Sequence, residues 1–126
     1  MKIKCIKLLD SDGNHISYSP WLKLGSVYHV LSIDIDIYRN INYGIVPFYV
    51  KDEWPSYISV SDKCFDIVSD IVPKNWDIKI NKSGYISISP ASWQKGNFFE
   101  DFSNREPYTY EIFKSELNLI LEEDHQ

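Results

Sequence analysis

The twelve residues from Val27 to Tyr38, VYHVLSIDIDIY, constrain the fold of this chain more than any other stretch. They make up its longest β-branched and aromatic run, and such side chains favour a pleated, half-buried surface. Within the run, Leu31, Ile33, Ile35 and Ile37 alternate with Ser32, Asp34, Asp36 and Tyr38. A period of two places the first set on one face of a strand and the second on the other. The pattern predicts an antiparallel strand with one buried face and its aspartates on the solvent side. Asp34 and Asp36 would then be same-face neighbours about 7 Å apart, from roughly 3.3 Å of rise per residue. That pair becomes a metal or proton site only where the fold supplies further ligands. His29, by the same parity, points to the side of Leu31, away from the aspartates.

Other segments read as β structure too. IKCIKLL (3–9) is a first strand; the turn-rich segment after it contains Asp12-Gly13 and Pro20, which bars a regular central strand. YGIVPFYV (43–50) reads as a strand whose Pro47 favours an edge or a bulge, and SYISV (56–60) and KCFDIVSD (63–70) as two more. NWDIKINKSGYISIS reads as a hairpin: Trp76, Ile78 and Ile80 alternate, Lys82-Ser83-Gly84 turns the chain, and Tyr85, Ile86 and Ile88 return. Seven short strands at close spacing predict a small, strongly bent antiparallel sheet or partial barrel.

From residue 89 the pattern changes. Ser89 as N-cap and Pro90 at the first helical position predict a short helix that Gly96-Asn97 breaks before FFEDF. From Pro107 onward a helix is predicted, with Phe113, Leu117 and Ile120 as its buried stripe and Tyr110 and Leu121 beside it. Glu122 to Asp124 oppose the helix macrodipole, a sign that this acidic end serves something else. The fold class is therefore α+β in a single domain, with residues 1–88 mainly β and 89–126 mainly helical. A chain of 126 residues is long enough for a core without staples.

The net charge of −5 is unevenly distributed. Residues 1–98 carry eleven Lys/Arg against ten Asp/Glu, whereas residues 99–126 carry two against eight. This argues against a nucleic-acid binder, which needs a basic stripe, and suits a basic protein partner. Cys5 and Cys64, far apart in apolar contexts, read as buried free thiols in a reducing compartment. With no hydrophobic leader segment and no apolar run of about 20 residues, the expected location is the cytosol.

Phosphate loops, dinucleotide fingerprints, nucleophile elbows and C-x-x-C pairs are all missing, so neither a cofactor nor a metal is expected and a non-catalytic role is favoured. The positive signal is aromatic: nine Tyr, four Trp and six Phe. Tyr and Trp beside acidic residues is the composition of protein-binding surfaces. Two patches qualify as partner-binding candidates. Asp34, Asp36 and Tyr38 form one; Glu100, Asp101, Glu106 and Tyr108 form the other.

LGSVYHVLSI, FDIVSDIVPKNW and SPASWQKGNFFEDFSN share an outline of Gly, Trp and Phe landmarks with a group of small bacterial proteins. The chain resembles the immunity proteins of polymorphic toxin and contact-dependent growth inhibition systems, and its first part resembles the opening strands of SH3-like barrels. The resemblance implies a cytosolic antidote that binds and neutralises one cognate toxin domain, whose surface would be basic. Two other functions stay open: an SH3-like adaptor or a nucleic-acid or peptide module, and a small hydrolase using dispersed carboxylates.

Overall fold

The computed structural model describes residues 1–125. Eight strands run as β1 (Lys2–Cys5), β2 (Val27–His29), β3 (Ser32–Ile35), β4 (Ile41–Ile45), β5 (Ile58–Ser61), β6 (Phe65–Ser69), β7 (Trp76–Ile80) and β8 (Ile86–Pro90). Helices α1 (Phe98–Ser103) and α2 (Pro107–Glu123) follow, with short 3₁₀ turns at Asp62–Cys64 and Ala91–Gln94. The strands form two antiparallel sheets, ordered β2-β1-β6 and β5-β4-β3-β8-β7, that do not close into a barrel. This is the α+β arrangement the sequence predicts, with the helical segment at the C-terminal end.

Eight strands replace the predicted seven because the run 27–38 is cut in two. Val30 and Leu31 are consecutive and both fully buried, which a continuous strand facing one core does not permit. Val30 donates its N–H to Met1 O at 3.0 Å and Leu31 donates to Gly44 O at 2.8 Å, so the chain passes between sheets at this bond. The side chains divide in the same way. Val30 packs with Ile3, Cys5, Leu8, Tyr28, Tyr43, Ile45, Cys64 and Phe65 in a first core. Leu31 packs with Val46, Trp93, Phe98, Phe102, Phe113, Leu117 and Ile120 in a second. Ile33 rests on the first core, so Leu31 and Ile33 do not share one as the alternation predicts.

Other boundaries move for local reasons. β4 stops at Ile45, before Pro47, so Phe48, Tyr49 and Val50 lie exposed in a loop rather than in a strand. The first strand stops at Cys5, where Gly25 N–H bonds to Cys5 O at 2.8 Å. Ser89 caps no helix. It stays in β8 opposite Asp77, because the Gln94 side-chain amide bonds to Ser89 O and Asp77 O, both at 2.9 Å, leaving a 3₁₀ turn with Pro90 at its cap. The stripe of α2 is as predicted, Phe113, Leu117 and Ile120 being buried, with Thr109 added.

Three five-residue loops, 10–14, 36–40 and 81–85, share one geometry. The first residue's N–H reaches the fifth residue's carbonyl at 2.9, 3.1 and 3.0 Å, and the fourth residue's N–H returns to the first's carbonyl. The fourth residue has positive φ in each: Gly13 at 83°, Gly84 at 93° and Arg39 at 67°. Glycine adopts that conformation without steric cost and arginine does not.

The acidic end of α2 has a structural role. Asp124 is buried, pairs with the Met1 amine at 2.8 Å and Lys2 Nζ at 3.6 Å, and accepts from Ser69 Oγ at 2.6 Å. Glu123 accepts from Lys74 N–H with both carboxylate oxygens. The helix is thereby tied to β1, β6 and the loop before β7. His29, half-buried on β2 opposite Lys2, leaves Nδ1 without a partner, and burial holds its pKa down. Cys5 and Cys64 are buried free thiols; burial pushes the Cys5 thiol up, away from the reactive thiolate.

Candidate partner-binding surfaces

The first predicted patch separates into residues with different roles. Asp36 builds the β3–β4 hairpin: one carboxylate oxygen accepts from Tyr38 N–H at 2.8 Å and Asn40 N–H at 2.9 Å, and the other from Asn40 Nδ2 at 3.0 Å. These bonds, the Asn40 side chain first, hold its carboxyl below the ordinary range. Tyr38 projects from the hairpin tip and is 79% exposed. Asp34 lies within β3, one residue before the strand's end, and its face is not the open solvent that the alternation predicts. Ser32 beside it is buried, and burial raises the Asp34 carboxyl while the Ser87 hydroxyl lowers it. The helical segment covers this end of the sheet, which periodicity alone does not reveal.

The second patch is gathered at the α1–α2 junction, where Arg105 turns the chain at a φ of 58°. Tyr108 donates its hydroxyl to the Asp101 carboxylate, and that bond raises the Tyr108 pKa. Glu106 N–H bonds to Asp101 O at 2.9 Å, and Glu106 O accepts from Thr109 N–H and Oγ1, the latter at 2.7 Å. Glu100 and Glu106 are exposed, and so is Glu111 on the first turns of α2. Among the described residues the ion pairs are those of Asp124 with Met1 and Lys2. Glu100, Asp101, Glu106 and Glu111 thus gather four carboxylates around this junction, and among the described residues none of them is in an ion pair, with Arg105 lying between them in the chain.

A third surface, absent from the sequence reading, is formed by the loop before β2 and the loop after β4. Trp21 and Phe48 stack in solvent with centroids 6.2 Å apart and planes 6° from parallel. They are 46% and 47% exposed, and Tyr18 (74%) and Leu24 (54%) lie on the same loop as Trp21. Ser19 Oγ accepts from the N–H groups of Trp21 and Leu22, both at 3.2 Å; Lys23 N–H bonds to the Tyr28 hydroxyl at 2.9 Å; Leu22 packs on the first core. These anchors hold an otherwise irregular loop. The hollow it borders has a volume of about 760 Å³ and includes Pro20 and Pro47. A signal for it does exist in the sequence: Pro20-Trp21 and Pro47-Phe48 place large rings directly after residues that prevent a regular strand from burying them.

The fourth feature is a cleft of about 430 Å³ between the five-stranded sheet and the helical segment. Ser32, Asp34, Ser59, Ser87 and Ser89 line its sheet side, and Tyr57, Trp93 and Phe99 contribute rings. Tyr57 stacks on Phe99 at 5.0 Å and meets Trp93 and Phe113 edge-on. Its hydroxyl reaches across Gly44 to bond with the Ser32 hydroxyl. A methyl group on Gly44 would overlap both hydroxyl oxygens and lie 2.6 Å from Tyr57 Cζ, so the close crossing depends on glycine.

Among the described residues, no three of His, Cys, Asp and Glu converge as metal ligands, and no helix is long and apolar enough to cross a membrane. Compared with protein-family models, with curated proteins and with solved structures, the chain gives no match.

Proposed function

We propose that this chain is an immunity-type inhibitor that works in the cytosol by binding a cognate toxin domain, without catalysis of its own. The observation that carries this reading is the Trp21–Phe48 stack, exposed to water with the Trp21 loop anchored beneath it. Burying aromatic side chains against a partner is the largest gain such a surface offers, and hot spots of this kind are worth about 2 kcal/mol or more each. The acids Glu100, Asp101, Glu106 and Glu111, with Tyr108 among them and Tyr38 at the hairpin tip, add the second element. A face of that sign speeds encounter with a cationic domain, as toxins with phosphate-holding clefts present. In this division of labour the rings anchor the complex and the acids steer it.

The test is protection. The C-terminal domain of whatever open reading frame lies immediately upstream is expressed under tight control with and without this protein. Rescue by the native chain, and its loss with the double variant Trp21→Ala, Phe48→Ala that still melts like the native protein, is the expected result. A domain that is harmless, or that kills regardless, overturns the reading. A peptide-binding role is favoured by one observation of its own, the proline- and aromatic-lined hollow beside Trp21. Extended proline-rich peptides dock in grooves of that composition, and a fluorescence titration with such a peptide separates the two readings.

A further inference from the structure

The cleft over β3 brings together a carboxylate, a set of hydroxyls and aromatic rings. Strand register accounts for the polar side. Asp34 stands opposite Asn42 on β4 and Ser87 on β8, and Ser87 stands opposite Lys79 on β7. Ser32 stands opposite Gly44, and Gly44 opposite Ser59. This face of the five-stranded sheet thus carries small polar residues where its other face carries Ile33, Tyr43, Ile45, Ile88 and their neighbours.

Three properties define what the cleft fits. Asp34 has no cation partner among the described residues, although Lys79 contributes to the cleft's lining. A half-buried carboxylate without a counter-charge gains from a cation brought to it, because the interaction is less screened than in water. Its elevated pKa has the same origin. Secondly, Asp34 is the one carboxylate of the lining, and no histidine or cysteine joins it, so a metal ion would lack ligands. Thirdly, Tyr57, Phe99 and Trp93 supply rings. Hydroxyl acceptors, one carboxylate and aromatic surface suit a flat cation with several N–H donors better than a compact ammonium.

We propose that this cleft is a socket for a single guanidinium group, an arginine side chain presented by the protein partner. The choice of a protein partner rests on the inhibitor reading above; the guanidinium preference rests on the cleft alone. The socket adjoins α1 through Phe99 and Ser103, so an arginine seated there would lie beside the residues that carry Glu100 and Asp101.

The experiment titrates the full chain at low salt with N-acetyl-arginine amide and follows backbone amide resonances of Ser32, Asp34, Ser59 and Ser87. Saturable shifts at millimolar probe are expected. N-acetyl-citrulline amide, the neutral analogue of nearly the same shape, should produce none, and Asp34→Asn should weaken arginine binding about tenfold or more. Ser59→Tyr, placed at an exposed position on the rim, should block the cleft without touching either core and so separates loss of the socket from loss of folding. Equal shifts with arginine and citrulline, arginine binding unchanged in Asp34→Asn, or no shifts at all would each overturn the proposal. If toxin rescue succeeds while the arginine titration fails, the socket is wrong and the inhibitor reading survives. Arginine binding without rescue leaves the opposite result.

Discussion

The aromatic loops and the acidic helices rest on cores built in different ways. Beneath Trp21 lies the first core, where Ile3, Leu8, Val30 and Ile45 pack with two thiols and three rings. Beneath Glu100 and Glu106 lies the second, where Phe113 stacks on Phe102 at 4.3 Å and on Trp93 at 4.6 Å, and Phe98 stacks on Phe102 at 6.1 Å. Aliphatic contacts are non-directional and tolerate an irregular loop laid over them. Stacked rings have preferred orientations, and they fix two helices and a turn relative to the sheet. The comparison teaches that the two exposed surfaces rest on different supports: the Trp21–Phe48 rings sit on loops over mainly aliphatic packing, whereas the acids sit on helices fixed by stacked rings.

The largest test of that contrast is Phe113→Ala. It removes a fully buried ring shared by three stacks or edge contacts and should cost about 3–5 kcal/mol in urea unfolding. A cost below about 1 kcal/mol would show that the ring stack does not hold the helices. Trp21→Ala should do the reverse. Stability should change by no more than about 0.5 kcal/mol, while affinity for the toxin domain, read by calorimetry, falls by about 2 kcal/mol or more.

Asp124 links the helical segment to the strands and makes that link sensitive to acid. Its carboxyl is lowered from 3.8 to about 2, with hydrogen bonds from the Met1 amine and Ser69 outweighing its desolvation. A depressed carboxylate pKa contributes stability that is fully present above the unfolded value and is lost as pH falls through the folded one. Stability should therefore drop as pH falls from about 4 to about 2. Asp124→Asn should cost about 1–3 kcal/mol at neutral pH and flatten that dependence. A variant with the native acid profile would refute the assignment.

Neutralising the steering face is a smaller change. Glu100→Gln with Glu106→Gln should slow association with the toxin domain and reduce its salt dependence in stopped-flow traces, leaving dissociation nearly unchanged. A faster dissociation would make these acids anchors, and the distinction between the surfaces would disappear. The smallest effect is expected at Arg39→Gly. Relief of the left-handed backbone outweighs the added freedom of the unfolded chain, for a net gain of a few tenths to about 1 kcal/mol in thermal unfolding.

Much of the fold was legible because local rules sufficed. Gly84 marked the β7–β8 turn, Gly96-Asn97 separated the 3₁₀ turn from α1, and the spacing of Phe113, Leu117 and Ile120 placed the buried face of α2. The division at Val30 and Leu31 was not legible, since alternation cannot tell which of two cores a residue enters. For the site, alternation predicts Asp34 and Asp36 together on a solvent-facing side of one strand, but tertiary packing places a helical wall over Asp34 and a five-residue loop around Asp36. Trp21 and Phe48 give no periodic signal, because apolar rings count as core material until their loops are placed. The acids at 122–124 were the converse case. Their conflict with the helix dipole was visible in the sequence, and the amine and lysine that resolve it come from the far end of the chain.

The crossing of Tyr57 over Gly44 also limits the routes by which this sequence can diverge. Alanine at 44 is incompatible with tyrosine at 57, and even a phenylalanine there would leave its ring carbon 2.6 Å from the new methyl. Position 57 must shrink and the Ser32 hydroxyl must move aside before position 44 can grow, and Ser32 then loses the tyrosine hydroxyl that occupies its own. Drift at these three sites is ordered rather than independent. In any lineage descended from such a chain, glycine at 44 and an aromatic residue at 57 should be inherited together or abandoned together.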